Sequence, residues 1–330
     1  MAVPHDPSFS YSFCQEFGDR FLRKRVLVTG ATGFVGTNLC QALRSIGAEV
    51  AGVALAESLL HAPDPEGILP ADLADEASAR GTVETVKPEI VFHLAGMVDT
   101  RQDTECILPT LRHNLIGTVN LLTALVGSQC SRVLVVGSSE SPPPNQSPGS
   151  PYAASKQAAA IYAQMYWALY ALPVVIARPH MVYGPHQQVR KLIPYLIHCG
   201  LQKTPPLLSS GKRICDLVYV KDFVRAMLLM AGASGLVGQT LDVGTGTGTS
   251  IAEVVSHVRS LMSSTIEPVF GALPDRAGEV PQVANRRHTE EILGWRPLWT
   301  LDAGLSETIR WYKNEQSFDA SSREDQRSEV

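Results

Sequence analysis

Residues 26–36 read VLVTGATGFVG, an apolar run that breaks into three glycines and passes at once into TNLCQALRSIG at 37–47. The spacing has a physical reading. Gly30 permits a tight turn out of a strand, Gly33 lets the backbone approach a pyrophosphate, and Gly36 lets helix and strand pack closely. The helix that begins here would present free N–H groups and the positive end of its dipole to those phosphates. Glycine triplets are common, but here the strand before and the helix after are both legible. The triplet, with Thr32 inside the same loop, therefore predicts a dinucleotide site.

Working outward, the same rhythm repeats. RVLVTG, AEVAGVAL, EIVFHLAG, RVLVVGSS and PVVIARP are short apolar runs, separated by helical stretches such as HNLIGTVNLLTALVG and the segment from Tyr152 to Leu172. Fully apolar strands alternating with helices indicate a parallel sheet covered on both faces. The fold class is therefore α/β: a doubly wound, Rossmann parallel sheet over 24–180 with a smaller mixed α/β substrate-binding domain over 181–315. That second part can return strands to the sheet. Residues 1–23 read as an N-terminal extension that frays, and 316–330 as a disordered tail.

Composition removes several function classes. The chain has 330 residues, 45% hydrophobic and 18% charged, enough to bury a real core. Its net charge is −4, with no basic block beyond RKR at 23–25, so no nucleic-acid partner is expected. No apolar run is long enough to span a bilayer, and the acid-bearing N-terminus lacks the apolar core of a signal peptide. The six cysteines (14, 40, 106, 130, 199 and 215) contain no C-x-x-C pair, which reads as reduced thiols in a cytoplasmic protein. His180 and His186 have no cysteine at ligand spacing, so no metal site is expected.

Two further segments have deceptive compositions. LDVGTGTGTS at 241–250 looks like a nucleotide loop of the S-adenosylmethionine type. Too few residues follow it to complete such a domain, and no carboxylate ends a following strand. It reads instead as a turn with Thr249 or Ser250 capping the helix IAEVVSHVRSLM.

The other is GSSESPPPNQSPGSPYAASK at 137–156, which by composition is a linker. Tyr152 and Lys156, however, stand four apart on one helix face. To act as a base near neutrality, a phenol must drop about three units from its ordinary value near 10, roughly 4 kcal/mol of differential stabilisation. A neighbouring ammonium and a positive nicotinamide ring supply that in a dry cleft. Ser138 or Ser139, at the end of the preceding strand, can bond to the same substrate oxygen. The segment reads as an active-site loop.

Together with DL (72–73), HLAG (93–96), HNLIGTVNLL, GSSE, YAASK, ARPHMVYGP, GKRICDLVYVKD and RAGEVPQVA, the glycine loop gives a specific resemblance. Over about 24–314 the chain resembles an extended short-chain dehydrogenase/reductase of the NAD-dependent epimerase/dehydratase family, in its nucleotide-sugar branch. The resemblance implies that Gly30, Thr32, Gly33, Phe34, Val35 and Gly36 hold the pyrophosphate, and Asp72 and Leu73 the adenine. It implies that Leu94, Ala95 and Gly96 line the cofactor cleft, with Asn114 beneath. Tyr152 and Lys156 would be the catalytic pair, reaching the cofactor as well. Ser138 would be the catalytic hydroxyl, Ser139 being the alternative, and Glu140 would take the place of a dehydratase acid/base. Met97, His180, Met181, Arg213 and Arg276 would face the substrate, the two arginines at its diphosphate.

Three departures stand out. SPP replaces the usual VYG after the serine motif, ahead of a shortened loop. Met181 replaces the Asn of RP-x-N, and Ala54 stands where the second strand usually ends in an acid. The expected activity is hydride transfer at C4 of a nucleotide-sugar, as a 4-epimerase or 4-ketoreductase, with NAD as cofactor and NADP as the alternative. The other readings are a 4,6-dehydratase, a reductase of an apolar ketone, and a non-catalytic cofactor-bound sensor. The resemblance also implies a homodimer.

Overall fold

The computed structural model describes residues 16–60, 62, 67–142, 146–276 and 280–325, with side chains as far as Glu315. Its centre is a seven-stranded sheet in the order β10-β6-β5-β4-β1-β2-β3. The strands are β1 (Arg25–Thr29), β2 (Glu49–Ala54), β3 (Ile68–Pro70), β4 (Ile90–His93), β5 (Arg132–Val136), β6 (Val174–Pro179) and β10 (Thr240–Val243). Every pairing in it is parallel. Such a sheet needs an apolar cover on each face, and β1 shows how the sequence provides it. Val26 and Val28 join the core on one face, Leu27 the core on the other.

The first face is covered by α2 (Phe34–Ser45) and α9 (Val220–Gly232). The second is covered by α4 (Glu76–Val86), α6 (Gly117–Leu125) and α7 (Pro151–Tyr170). Strand order reverses between β1 and β4, the switch point at which doubly wound sheets open a crevice at their C-terminal ends.

The part after residue 180 adds small sheets, β7 (Met181–Tyr183) with β9 (Leu217–Tyr219) and β8 (Ile214–Cys215) with β11 (Thr249–Ser250). It also adds α8 (Leu192–Gln202), α10 (Ile251–Met262) and α11 (Arg287–Leu293). Two of its elements belong to the central layers: β10 pairs with β6, and α9 packs on the sheet.

Residues 1–15 and 326–330 of the expected extension and tail lie outside the described residues; next to them two segments depart from expectation. Residues 16–21 form a helix, α1, whose Phe17 and Phe21 are fully buried, and Glu16 pairs with Arg225 at 2.7 Å. Two buried phenyl rings and an ion pair anchor what reads in sequence as a fraying extension. At the other end α12 runs Leu301–Asp325, past the boundary drawn at 315.

The GTGTG segment is the turn its surroundings predict. Ser250 caps α10 in a reciprocal box with Glu253. The buried Asp216 carboxylate accepts the N–H groups of Thr245, Gly246 and Ala284. The loop's free N–H groups thus go to a carboxylate of the protein itself.

Candidate active site

The glycine loop leaves β1 with Gly30 at φ +68°, a conformation in which a side chain is strained. A Cβ on Gly30 would stand 2.8 Å from the Ala95 nitrogen, and one on Gly36 would collide with the Gly30 carbonyl oxygen. Gly33 is the N-cap of α2 in extended backbone and offers no side-chain cap to the helix N–H groups. The result is a bare, donor-rich cradle closed on its far side by 94–96. Asp72, beyond β3, is held by the Ala74 N–H at 2.9 Å and by Arg112 at 2.7 Å, with Leu73 buried beside it.

His93, the last residue of β4, ties this cradle together. The Thr118 hydroxyl donates to the Asn114 carbonyl at 2.6 Å, so its oxygen must accept from His93 Nε2–H at 2.8 Å. Nδ1 then accepts from the Thr29 hydroxyl at 2.8 Å, whose oxygen accepts the Ala95 N–H at 3.1 Å. One direction of donation satisfies every atom, and it requires a neutral imidazole. Burial, helped by the charge of Lys156, pushes the His93 pKa down to about 3.

Asn114 lies in a π-helical turn, Leu111–Ile116. Its amide accepts the Met97 N–H at 2.6 Å and donates to the Met97 carbonyl at 3.0 Å and to Ser155 Oγ at 2.9 Å. All three bonds connect the 94–97 turn to α7, so Asn114 acts as a brace. The wider turn of a π-bulge is what lets it reach both.

Helix α7 starts where Ser150 caps the Ala153 N–H and Pro151 fills the first position. Tyr152 and Lys156 are buried on its inner face, and Ser138 is buried at the end of β5. Ser138 is the hydroxyl that bears on the Tyr152 phenol, lowering its pKa. Ser139 donates to Gln282 Oε1 at 3.3 Å. Ser139 lines the cavity described below, and Ser138 is the one of the pair that bears on the phenol. Burial is the largest influence on Tyr152 and raises its pKa, against the Ser138 hydroxyl that lowers it and with the Glu140 charge that raises it. Burial also lowers Lys156 to about 8. The protein alone therefore keeps the phenol protonated. The depression anticipated from sequence is not present in the protein alone.

Beyond β5, β6 and β10 opens a cavity of about 480 Å³. Glu140, His180, Arg213 and Arg276 all line it, as the sequence predicts. Met97 and Met181 do not. The Met97 backbone is clamped by Asn114, while Met181 packs on the core and pairs with Leu217 in β7–β9. Arg213 Nη2 meets Glu140 Oε1 at 2.9 Å. His180 Nδ1 is buried without a hydrogen-bond partner among the described residues, and burial lowers its pKa.

Sequence reasoning missed Arg178 and Asp242, a two-pronged ion pair across β6 and β10 in the cavity wall. Both lie inside segments already singled out, ARPHMVYGP and LDVGTG. The second had been set aside as a turn. Among the described residues no group of three or more His, Cys, Asp or Glu is placed to hold a metal.

The profile of the NAD dependent epimerase/dehydratase family matches residues 26–244. The chain is 31% identical to the UDP-glucose 4-epimerase of Mycolicibacterium smegmatis over 318 residues, covering 88% of this chain and 99% of that one. It is 30% identical to a probable dTDP-glucose 4,6-dehydratase of Sinorhizobium fredii, covering 87% and 92%. Among solved structures, MoeE5 in complex with UDP-glucose and NAD superposes with a TM-score of 0.78 at 28% identity, covering 88% and 99%. The UDP-glucose 4-epimerase of Thermotoga maritima superposes at 0.80 with 24% identity, over 88% and 99%, and shares the fold.

Proposed function

The chain belongs to the NAD-dependent epimerase/dehydratase family, and we propose that it catalyses hydride transfer at C4 of a nucleotide-linked hexose as a 4-epimerase or 4-ketoreductase. The observation that carries this reading is the buried Ser138–Tyr152–Lys156 group beside a cavity lined by Arg213 and Arg276. One end suits a hydroxyl that gives up a proton, the other a diphosphate. Guanidinium groups are the natural partners for phosphate oxygens.

The cofactor is NAD, and the cradle at 30–36 fits it, because a Cβ at Gly30 or Gly36 would fill the space where the backbone must come close. When bound, NAD takes up or returns the hydride at C4. Gly30, Thr32, Gly33, Phe34, Val35 and Gly36 would hold its pyrophosphate, and Asp72 and Leu73 its adenine. Leu94, Ala95 and Gly96 would form the cleft wall, with Lys156 at the nicotinamide end. Tyr152 would pass the proton to and from the C4 oxygen while Ser138 holds that oxygen. Lys156 would favour the phenolate by its charge. Exclusion of water from this buried group strengthens each of these interactions.

The second reading, a 4,6-dehydratase, draws support from Glu140, which lines the cavity two residues after Ser138, and from the dehydratase relative. A dehydratase needs an acid/base over the C5 proton, however, and the Glu140 carboxylate is engaged by Arg213. The test is incubation with UDP-, dTDP- and GDP-hexoses in heavy water, followed by mass. Isomerisation or C4 reduction without loss of water supports the first reading. Loss of water with deuterium at C5, abolished in Glu140→Gln, establishes the second.

The same proposal includes a cytoplasmic homodimer. No helix among the described residues is long and apolar enough to cross a membrane. The outer faces of 107–116 and α7 form an open groove lined by Ile107, Leu111, Leu115 and Ala158, with Leu108 and Ile161 exposed nearby. Two helices flanking an apolar groove can receive the same pair from a second copy related by a two-fold axis. Light scattering on the wild type and Leu108→Glu checks it: a dimer that becomes monomeric is the expected result.

A further inference from the structure

Glu140 makes two contacts that point in different directions. Its side chain meets Arg213 across the cavity, Oε1 to Nη2 at 2.9 Å, with both groups mostly shielded from solvent. Its backbone N–H donates to Ser138 Oγ at 3.1 Å, two residues back beyond the end of β5. Glu140 therefore joins the Arg213 guanidinium on one side of the cavity to the Ser138 hydroxyl on the other.

We propose that Glu140 is a positioning residue that fixes Arg213 at the diphosphate end of the cavity while its backbone fixes the Ser138 hydroxyl at the catalytic end. This rests on the nucleotide-sugar reading above. The contact between Glu140 and Arg213 is made by one nitrogen and one oxygen. A long arginine side chain loses considerable rotamer freedom when it is ordered on a ligand. Holding it beforehand removes that cost from binding, as preorganisation does generally. The carboxylate also repels a bound diphosphate. The proposal requires that preorganisation outweigh this repulsion, so the sign of the effect decides it. A direct role for Glu140 in proton transfer predicts something else, a loss in turnover with no change in nucleotide affinity.

The probe is UDP, titrated calorimetrically into the full chain and into Glu140→Ala, Glu140→Gln, Arg213→Ala and the Glu140→Ala/Arg213→Ala double variant. Far-ultraviolet dichroism and melting on each variant establish that it is folded. Glu140→Ala should weaken UDP about tenfold, the range of one lost charge-assisted contact. Glu140→Gln, whose amide oxygen still accepts from Nη2, should stay within about threefold of wild type. The double variant should bind no more weakly than Arg213→Ala, because residues acting through one contact are not additive. With a sugar substrate, Glu140→Ala should act on KM more than on kcat. UDP affinity unchanged or tightened in Glu140→Ala, or penalties that multiply in the double variant, would overturn the proposal alone. A wild-type protein that binds none of UDP, dTDP and GDP would overturn the nucleotide-sugar reading and this proposal together.

Discussion

The Thr29 hydroxyl and Nδ1 of His93 lie 2.8 Å apart, one at the C-terminal end of β1 and the other at that of β4. These are the strands between which the strand order reverses. A neutral imidazole bridging two threonines therefore holds the floor of the cofactor crevice, and its neutrality has a consequence for stability.

With a folded pKa of about 3 against 6.5 when unfolded, His93 binds fewer protons in the folded state between those values. Its contribution is complete above pH 6.5 and is lost as pH falls toward 3. Between pH 7 and 5 the wild type should lose about 2 kcal/mol from this group, since each unit below the unfolded value is worth roughly 1.4 kcal/mol. Urea unfolding checks it: His93→Asn should be less stable at pH 7 yet lose about 2 kcal/mol less than wild type on acidification to pH 5. Equal losses in both proteins would assign the acid limb elsewhere.

Gly36→Ala tests the cradle itself. The added methyl would meet the Gly30 carbonyl and, at 2.9 Å, Ala31 Cα, both backbone atoms fixed by the β1–α2 packing. Overpacking of this kind costs about 1–3 kcal/mol, and the displaced turn should lower NAD affinity at least tenfold. A variant that melts and binds like wild type would show that α2 can slide away from β1.

Cofactor choice follows from the end of β2. Ala54 is buried there, Glu57 is exposed one turn on, and no Lys or Arg occurs from Ala51 to Ala71. A 2′-phosphate would sit beside a carboxylate with no cationic partner. NAD forgoes only one hydrogen-bond acceptor, about 1 kcal/mol. Side-by-side titration should therefore favour NAD, and tenfold tighter binding of NADP would contradict the argument.

Much of this was legible in the sequence because the relevant signals are local. Apolar strands with helices between them dictate a covered parallel sheet, and glycine spacing dictates the turn. Tyr152 and Lys156 share a face by helix geometry alone. What the sequence left open depended on contacts across the fold. Ser138 and Ser139 are adjacent and chemically alike, and only the reach of Gln282 from 143 positions away separates them. The Arg178–Asp242 pair was hidden because parallel pairing of β6 with β10 joins residues 64 apart. Met181 was assigned to the substrate by analogy of position, but an apolar thioether gains more from the core than from a polar cavity. The docking of Phe17 and Phe21 had no local signature, since two phenylalanines four apart bury only if a partner surface exists.

The most direct test of the account is turnover and cofactor binding in Tyr152→Phe, with Lys156→Ala beside it. The phenylalanine variant keeps the ring and removes only the hydroxyl. It should bind NAD nearly as wild type, while interconversion of the C4 epimers, or C4 reduction, of the accepted UDP-hexose falls by the 10²–10⁴-fold typical of a lost acid/base. Lys156→Ala should lower both turnover and NAD affinity. A Tyr152→Phe protein that keeps more than about a tenth of wild-type turnover would place the proton-transfer group elsewhere and contradict the assignment.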